Sequence, residues 1–320
     1  MFKKWSWKGI AEVFKNSFSG FDEDRIMKLS GSLAYYTVFS MGPLLIVIIS
    51  LCGLFLGKEA IEGKIYSQLT GFVGRDTAEQ LEEMIKNASL AGKSKLAAIV
   101  GGVTLLIGST TVFAEIQDSI NGIWGLKPKP KRGWVKFLQN RFLSFSVIVG
   151  LGFLLLVSLG VSSIIDIFSQ YLSNRFPEVT LVLFYILNVI ITFCITTLIF
   201  GVIFKVLPDA NIRWKDVIAG AIATALLFML GKFGISFYIS KSNVGSTYGA
   251  AGSLVVLLIW VYYSSLILYF GAEFTKAYAV KYGSAILPNE YAVTTKIIEV
   301  ETGSTSVQTK EKAAIDVVAK

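Results

Sequence analysis

The sequence predicts an all-α, polytopic membrane protein. Six transmembrane helices are joined by an N-terminal amphipathic helix and a helical segment outside the cytoplasm. Three observations carry this. Of 320 residues, 53% are hydrophobic and 16% charged, and mean hydropathy is +0.63. Soluble domains carry about 25% charged residues, so lipid must be the solvent for most of this perimeter. Apolar runs of about 20 residues, enough to cross ~30 Å of hydrocarbon, recur six times. Basic residues gather in alternate connections, as the positive-inside rule requires of cytoplasmic loops.

Residues 1–30 read as an amphipathic segment at the cytoplasmic interface, with Trp5, Ile10, Val13, Phe14 and Phe18 near helical spacing. Such a helix either lies on the membrane surface or packs on its own protein. Residues 31–282 form the transmembrane domain. Its first span, 33–56, is polar-aromatic in the first half, SLAYYTVFSMGP, and apolar in the second. Pro43 kinks a span and frees a carbonyl, so the polar half should face protein. Residues 57–95 form a long polar, amphipathic helical connection on the outer side.

The second span, 96–118, leads to Lys127, Lys129, Lys131, Arg132, Lys136 and Arg141, which mark a cytoplasmic loop. The third span is 142–168 and the fourth 180–204, with only Arg175 as a basic residue in the loop between them. Lys205, Arg213 and Lys215 bring the next loop back inside, before a fifth span, 217–239. A short outer turn and a sixth span, 250–277, follow. Residues 283–320 are rich in Thr, Lys and Glu and read as a disordered cytoplasmic tail. Both termini are then cytoplasmic.

The net charge of +8 serves this topology and anionic lipid, not nucleic acid. Cys52 and Cys194 both lie in apolar runs and suggest no disulfide. Histidine is absent, which removes the commonest general base and zinc ligand. No phosphate-binding loop, CxxC pair or HExxH occurs.

Four strings resemble the YihY/BrkB family of bacterial inner-membrane proteins. They are SLAYYTVFSMGPLL ending at Leu45, INGIWGL from Ile120 to Leu126, KVLPDANIRWKDVIAGA from Lys205 to Ala221, and the run from Tyr248 to Phe274. They recur in the family's order and spacing, from about Phe14 to Ala279. The resemblance implies an all-helical, six-span protein without an established activity. Members have been labelled ribonuclease BN, and BrkB carries a label of serum resistance. A metal-dependent ribonuclease needs clustered histidines or carboxylates, which this chain lacks. Many members have a basic residue before the IWG string, where this chain has Asn121-Gly122.

Ionisable groups inside spans are costly, and a functional role is their default reading. Glu115 and Asp118 sit i,i+3 near the cytoplasmic end of span two. Glu273 has the matching depth in span six, and Lys232 lies mid-way along span five. Together they form a relay or cation site, or else they reach water and cap basic loops. A second constellation, Tyr35, Tyr36, Thr37 and Pro43 with Tyr248, lines a cavity beside a broken helix or serves as interhelical glue and aromatic belt. Trp124, Trp134 and Trp214 are expected at interfaces, and Trp260 in packing.

The leading functional expectation is a transporter-like protein that moves or binds a lipid, amphiphile or small ion. The alternative is a structural or regulatory envelope protein that docks partners through residues 57–95. An intramembrane enzyme would need converging groups, and Glu115 with Glu273 is the one pair on offer. The expectation is therefore no enzyme, with no catalytic residue, cofactor or metal ligand. Membrane lipids are the expected partners; a homo-oligomer is compatible with the sequence, and no protein partner is singled out.

Overall fold

A computed structural model describes residues 6–40, 95–129, 144, 146–150, 177–241, 252–290 and 292–295. The chain is mostly helical. Helix α1 is Trp7–Glu23 and α2 covers 26–40. Helix α3 is Lys95–Ile123, followed by strand β1, Leu126–Pro128. After helical residues 146–150 come α4, Pro177–Val206, and β2, Ala210–Asn211. Helix α5 is Trp214–Lys241 and α6 is Gly252–Tyr282. Strands β3, Leu287–Pro288, and β4, Ala292–Thr294, close the described chain.

Three helices among the described residues are long and apolar enough to cross a membrane: Val189–Val206, Trp214–Ile235 and Leu254–Tyr282. They fall on the expected fourth, fifth and sixth spans. Helix α3 covers the second. Most of the first and third spans, including Pro43, and nearly all of 57–95 lie outside the described residues. On α5, Ile218, Ile222, Leu226, Leu230, Phe233 and Phe237 form one exposed apolar stripe. Steps of three and four residues put them on one helix face, and a stripe of that length suits hydrocarbon rather than water.

The opposite face of α5 packs antiparallel on α6 through small residues. Gly220 lies under Thr275, and Gly271 lies under Thr224. Each threonine hydroxyl donates to the carbonyl of its own helix's glycine, Thr224 to Gly220 and Thr275 to Gly271, both at 2.7 Å. Neither threonine hydroxyl is left for lipid, and the backbones approach closely. Further along, Trp260 stacks on Phe228 with ring centroids 6.2 Å apart, which makes it the packing residue expected.

Helix α1 is capped by Ser6, whose Oγ accepts from the Gly9 amide at 3.1 Å. Its small face, Gly9, Val13, Ser17 and Gly20, is buried against α6. Phe14 meets Phe274 and Phe18 meets Phe270, each with ring centroids 5.0 Å apart. Lys281 pairs with Glu12. Rising numbers on α1 thus meet falling numbers on α6, so the two run antiparallel. Of the two arrangements open to α1, packing on its own protein is the one found, although Trp7 and Phe18 remain exposed. The chain then turns into α2 within two residues, through Arg25 at a φ of 51°. That is a left-handed conformation which a non-glycine residue adopts only at a cost.

The expectation of a helical chain holds in its broad form, but helices are not its whole structure: two short antiparallel ladders, β1 with β4 and β2 with β3, join the loops. Nor does a structureless tail begin at 283, because residues 284–290 and 292–295 supply β3 and β4 and bond to both loops. Their apolar anchors explain this. Ala292 is buried, and Ile286 packs against the main core of Ile26, Ile120, Phe204 and Tyr269. Residues 296–320 lie outside the described residues.

Candidate functional site

Helices α3, α4 and α6 arrive at one end of the bundle by their C-termini, and α5 leaves it from its N-terminus. Buried polar side chains gather at this end. Asp209, in the turn between α4 and β2, is the hub of one group. Its Oδ2 accepts from Asn121 Nδ2 at 3.1 Å. Its Oδ1 accepts from Asn289 Nδ2 at 3.2 Å and Gln117 Nε2 at 3.4 Å. Its backbone amide donates to Asn121 Oδ1 at 2.8 Å, and its carbonyl accepts from the Asn289 amide at 2.9 Å. A carboxylate can stay buried when donors surround it in this way. Asp216, at the start of α5, is bonded similarly by the backbone and hydroxyl of Ser284 at 3.2 and 3.1 Å.

The second group joins α1 to α6. Glu273 is 2% exposed. Lys276 Nζ lies 3.2 Å from Glu273 Oε1 and 3.2 Å from Asp24 Oδ2. Gly20 permits this, since a Cβ there would stand 2.6 Å from Glu273 Oε2. The third group joins α2 to α3, where Ser32 Oγ donates to Glu115 Oε1 at 2.7 Å.

Among the expected site residues, Tyr35 and Tyr36 are exposed and meet edge-to-face at 5.7 Å between centroids. Thr37 bonds back to the Leu33 carbonyl at 2.7 Å, a habit of hydroxyl residues within helices. Glu115 is half-buried, whereas Asp118 is exposed, so the two do not share one environment. Glu115 and Glu273 have different partners, and the lysine beside Glu273 is Lys276, not Lys232. Lys232 is exposed. Pro43 and Tyr248 lie outside the described residues.

Trp124 also departs from expectation. It is 6% exposed rather than interfacial, and its Nε1 donates to the Ala272 carbonyl at 3.0 Å. Trp214 is 53% exposed with Lys205 Nζ 5.8 Å from its ring centroid, as suits an interface. Trp134 lies outside the described residues. Sequence reasoning passed over Asp209, Gln117, Asn121 and Asn289 as a unit. The available signal was an acid after Pro208 in a loop read only for its basic residues.

The family described as Virulence factor BrkB matches residues 17–292. The chain belongs to this family. Curated relatives of the BrkB family include the UPF0761 membrane protein of Pseudoalteromonas atlantica, 25% identical over 84% of this chain and 87% of its own length. The UPF0761 membrane protein of Aeromonas salmonicida is 28% identical over 81% of this chain and 86% of its own. That of Haemophilus influenzae is 26% identical over 79% of this chain and 90% of its own. No solved structure is a significant match. The buried groups around Asp209 and Glu273 all fall within the BrkB match.

Proposed function

We propose that this BrkB-family membrane protein is transporter-like, with six spans and both termini in the cytoplasm, and that it binds and moves a lipid, amphiphile or small ion. The observation that carries the reading is the Ser32–Glu115 contact. It joins the polar half of the first span to an ionisable group inside the bundle, about 12 Å from the end of α3 at ~1.5 Å per residue. Beside it, α2 presents Tyr35, Tyr36 and Phe39 as an exposed aromatic ladder suited to an amphiphile.

The six-span topology is supported by helix directions. Helices α3, α4 and α6 all run toward the end from which α5 departs, and α1 and the 284–295 strap lie at that same end. Lys127, Lys129, Lys205, Arg213 and Lys215 are there too, as a cytoplasmic face requires. The reading calls for no catalytic group, cofactor or nucleic acid; lipids are its partners.

Native mass spectrometry of the purified protein, with lipid extraction from the same sample, tests it. A defined lipid or small molecule should co-purify and be depleted by Tyr35→Ala or Glu115→Gln. Bulk lipid alone, unchanged in both variants, would favour the docking role of residues 57–95.

A further inference from the structure

Glu115 has one bonded partner among the described residues, the Ser32 hydroxyl, and no lysine or arginine among them pairs with it. An anion inside a bundle calls for a compensating charge. One turn along α3, on the same face, is Ser119, which is buried. Across from it on α6 stands Tyr269, whose ring is fully buried. The Tyr269 hydroxyl makes no hydrogen bond of good geometry among the described residues, although the Ser119 side chain lies within loose hydrogen-bond reach and Glu115 and Asp118 place negative charge near it. A buried hydroxyl without a partner costs about 1–3 kcal/mol and calls for an explanation.

We propose that Glu115, Ser32, Ser119 and Tyr269 form a binding site for one alkali-metal cation between α2, α3 and α6. All four offer oxygen, the ligand hard cations take. One carboxylate and three hydroxyls supply a single negative charge, which matches a monovalent ion. Asp118, next to Ser119, also acts on Tyr269 electrostatically, but its side chain is exposed to solvent and is not counted in the set. A buried water would satisfy Tyr269 but leave the charge of Glu115. A proton on Glu115 would remove the charge but leave Tyr269. A cation held by both oxygens answers both. Its role as a coupling ion rests on the transport reading above.

The test is equilibrium binding of radioactive sodium to the full chain in detergent, with choline replacing sodium at constant ionic strength. The expected result is saturable binding near one ion per chain. Glu115→Gln should weaken it by at least about tenfold, because ligand charge sets affinity at such sites. Tyr269→Phe, which removes only the oxygen, should weaken it as well. Absence of saturable binding, or unchanged binding in both variants, overturns the site. If Glu115→Gln does not fold, Tyr269→Phe and Ser119→Ala decide the matter. Sodium binding in detergent without flux in reconstituted vesicles would sink the transport reading and leave the site standing. Flux without sodium binding would do the reverse.

Discussion

Asp209 and Asn121 grip each other in both directions. The Asn121 amide donates to the Asp209 carboxylate at 3.1 Å, and the Asp209 backbone donates to Asn121 Oδ1 at 2.8 Å. The loop after α4 is thereby registered against the end of α3, 88 residues earlier in sequence.

Asp209→Ala should be strongly destabilising, because Asn121, Gln117 and Asn289 would all lose an acceptor. We expect about 2–4 kcal/mol, most of it from orphaned buried donors. Thermal unfolding in detergent measures this. A loss within ~0.5 kcal/mol, typical of surface substitutions, would mean that the network is not a buried anchor.

The strap formed by residues 284–295 can be trapped covalently. Lys127 and Val293 are direct partners in the β1–β4 register, and antiparallel partners lie about 4.5–5.5 Å apart at Cα, within disulfide reach. In a chain with Cys52 and Cys194 replaced by serine, Lys127→Cys with Val293→Cys should crosslink readily under mild oxidation. Persistently free thiols in that pair would show that the strap is not seated as described.

Gly20→Leu should lift α1 from α6. The new Cβ alone would crowd the Glu273 carboxylate, and overpacking a close contact costs about 1–3 kcal/mol. Protease sensitivity near the N-terminus should rise while α5 and α6 stay protected. Gly31→Leu is the control, since nothing among the described residues lies within 4 Å of its Cβ position; an equal response in both would refute the docking surface.

Topology is testable with membrane-impermeant maleimide on intact cells, again in the background without native cysteines. Cysteines replacing Lys129 or Arg213 should react only after permeabilisation, and one replacing Lys86 should react at once. The opposite pattern would invert the orientation argued from the basic residues.

The three candidate spans in α4, α5 and α6 were legible because these helices are long and apolar. Length and hydropathy suffice for that inference. Glu115 and Glu273 were legible as ions out of place. Of their partners only Lys276, three residues from Glu273, lies within local reach; Ser32 and Asp24 lie 83 and 249 residues away along the chain and carry no local signal. The strap was missed for a related reason. Residues 284–295 are too short and mixed for a periodic pattern, and their order comes from edges offered by β1 and β2. Trp124 was misread because tryptophan next to a basic loop resembles an interfacial anchor, and only the packing of α6 shows where its ring goes.

The antiparallel embrace of α1 and α6 sets a schedule for biosynthesis. Asp24 and Lys276 are 252 residues apart. At about 5–20 residues per second, the ribosome needs on the order of 10–50 s to supply the second after the first. For that interval the small face of α1 has no partner, and neither do the loop edges awaiting the strap. Segments made late complete one made much earlier, so a chain truncated before α6 would present an uncovered α1 to proteases that clear unfinished membrane proteins.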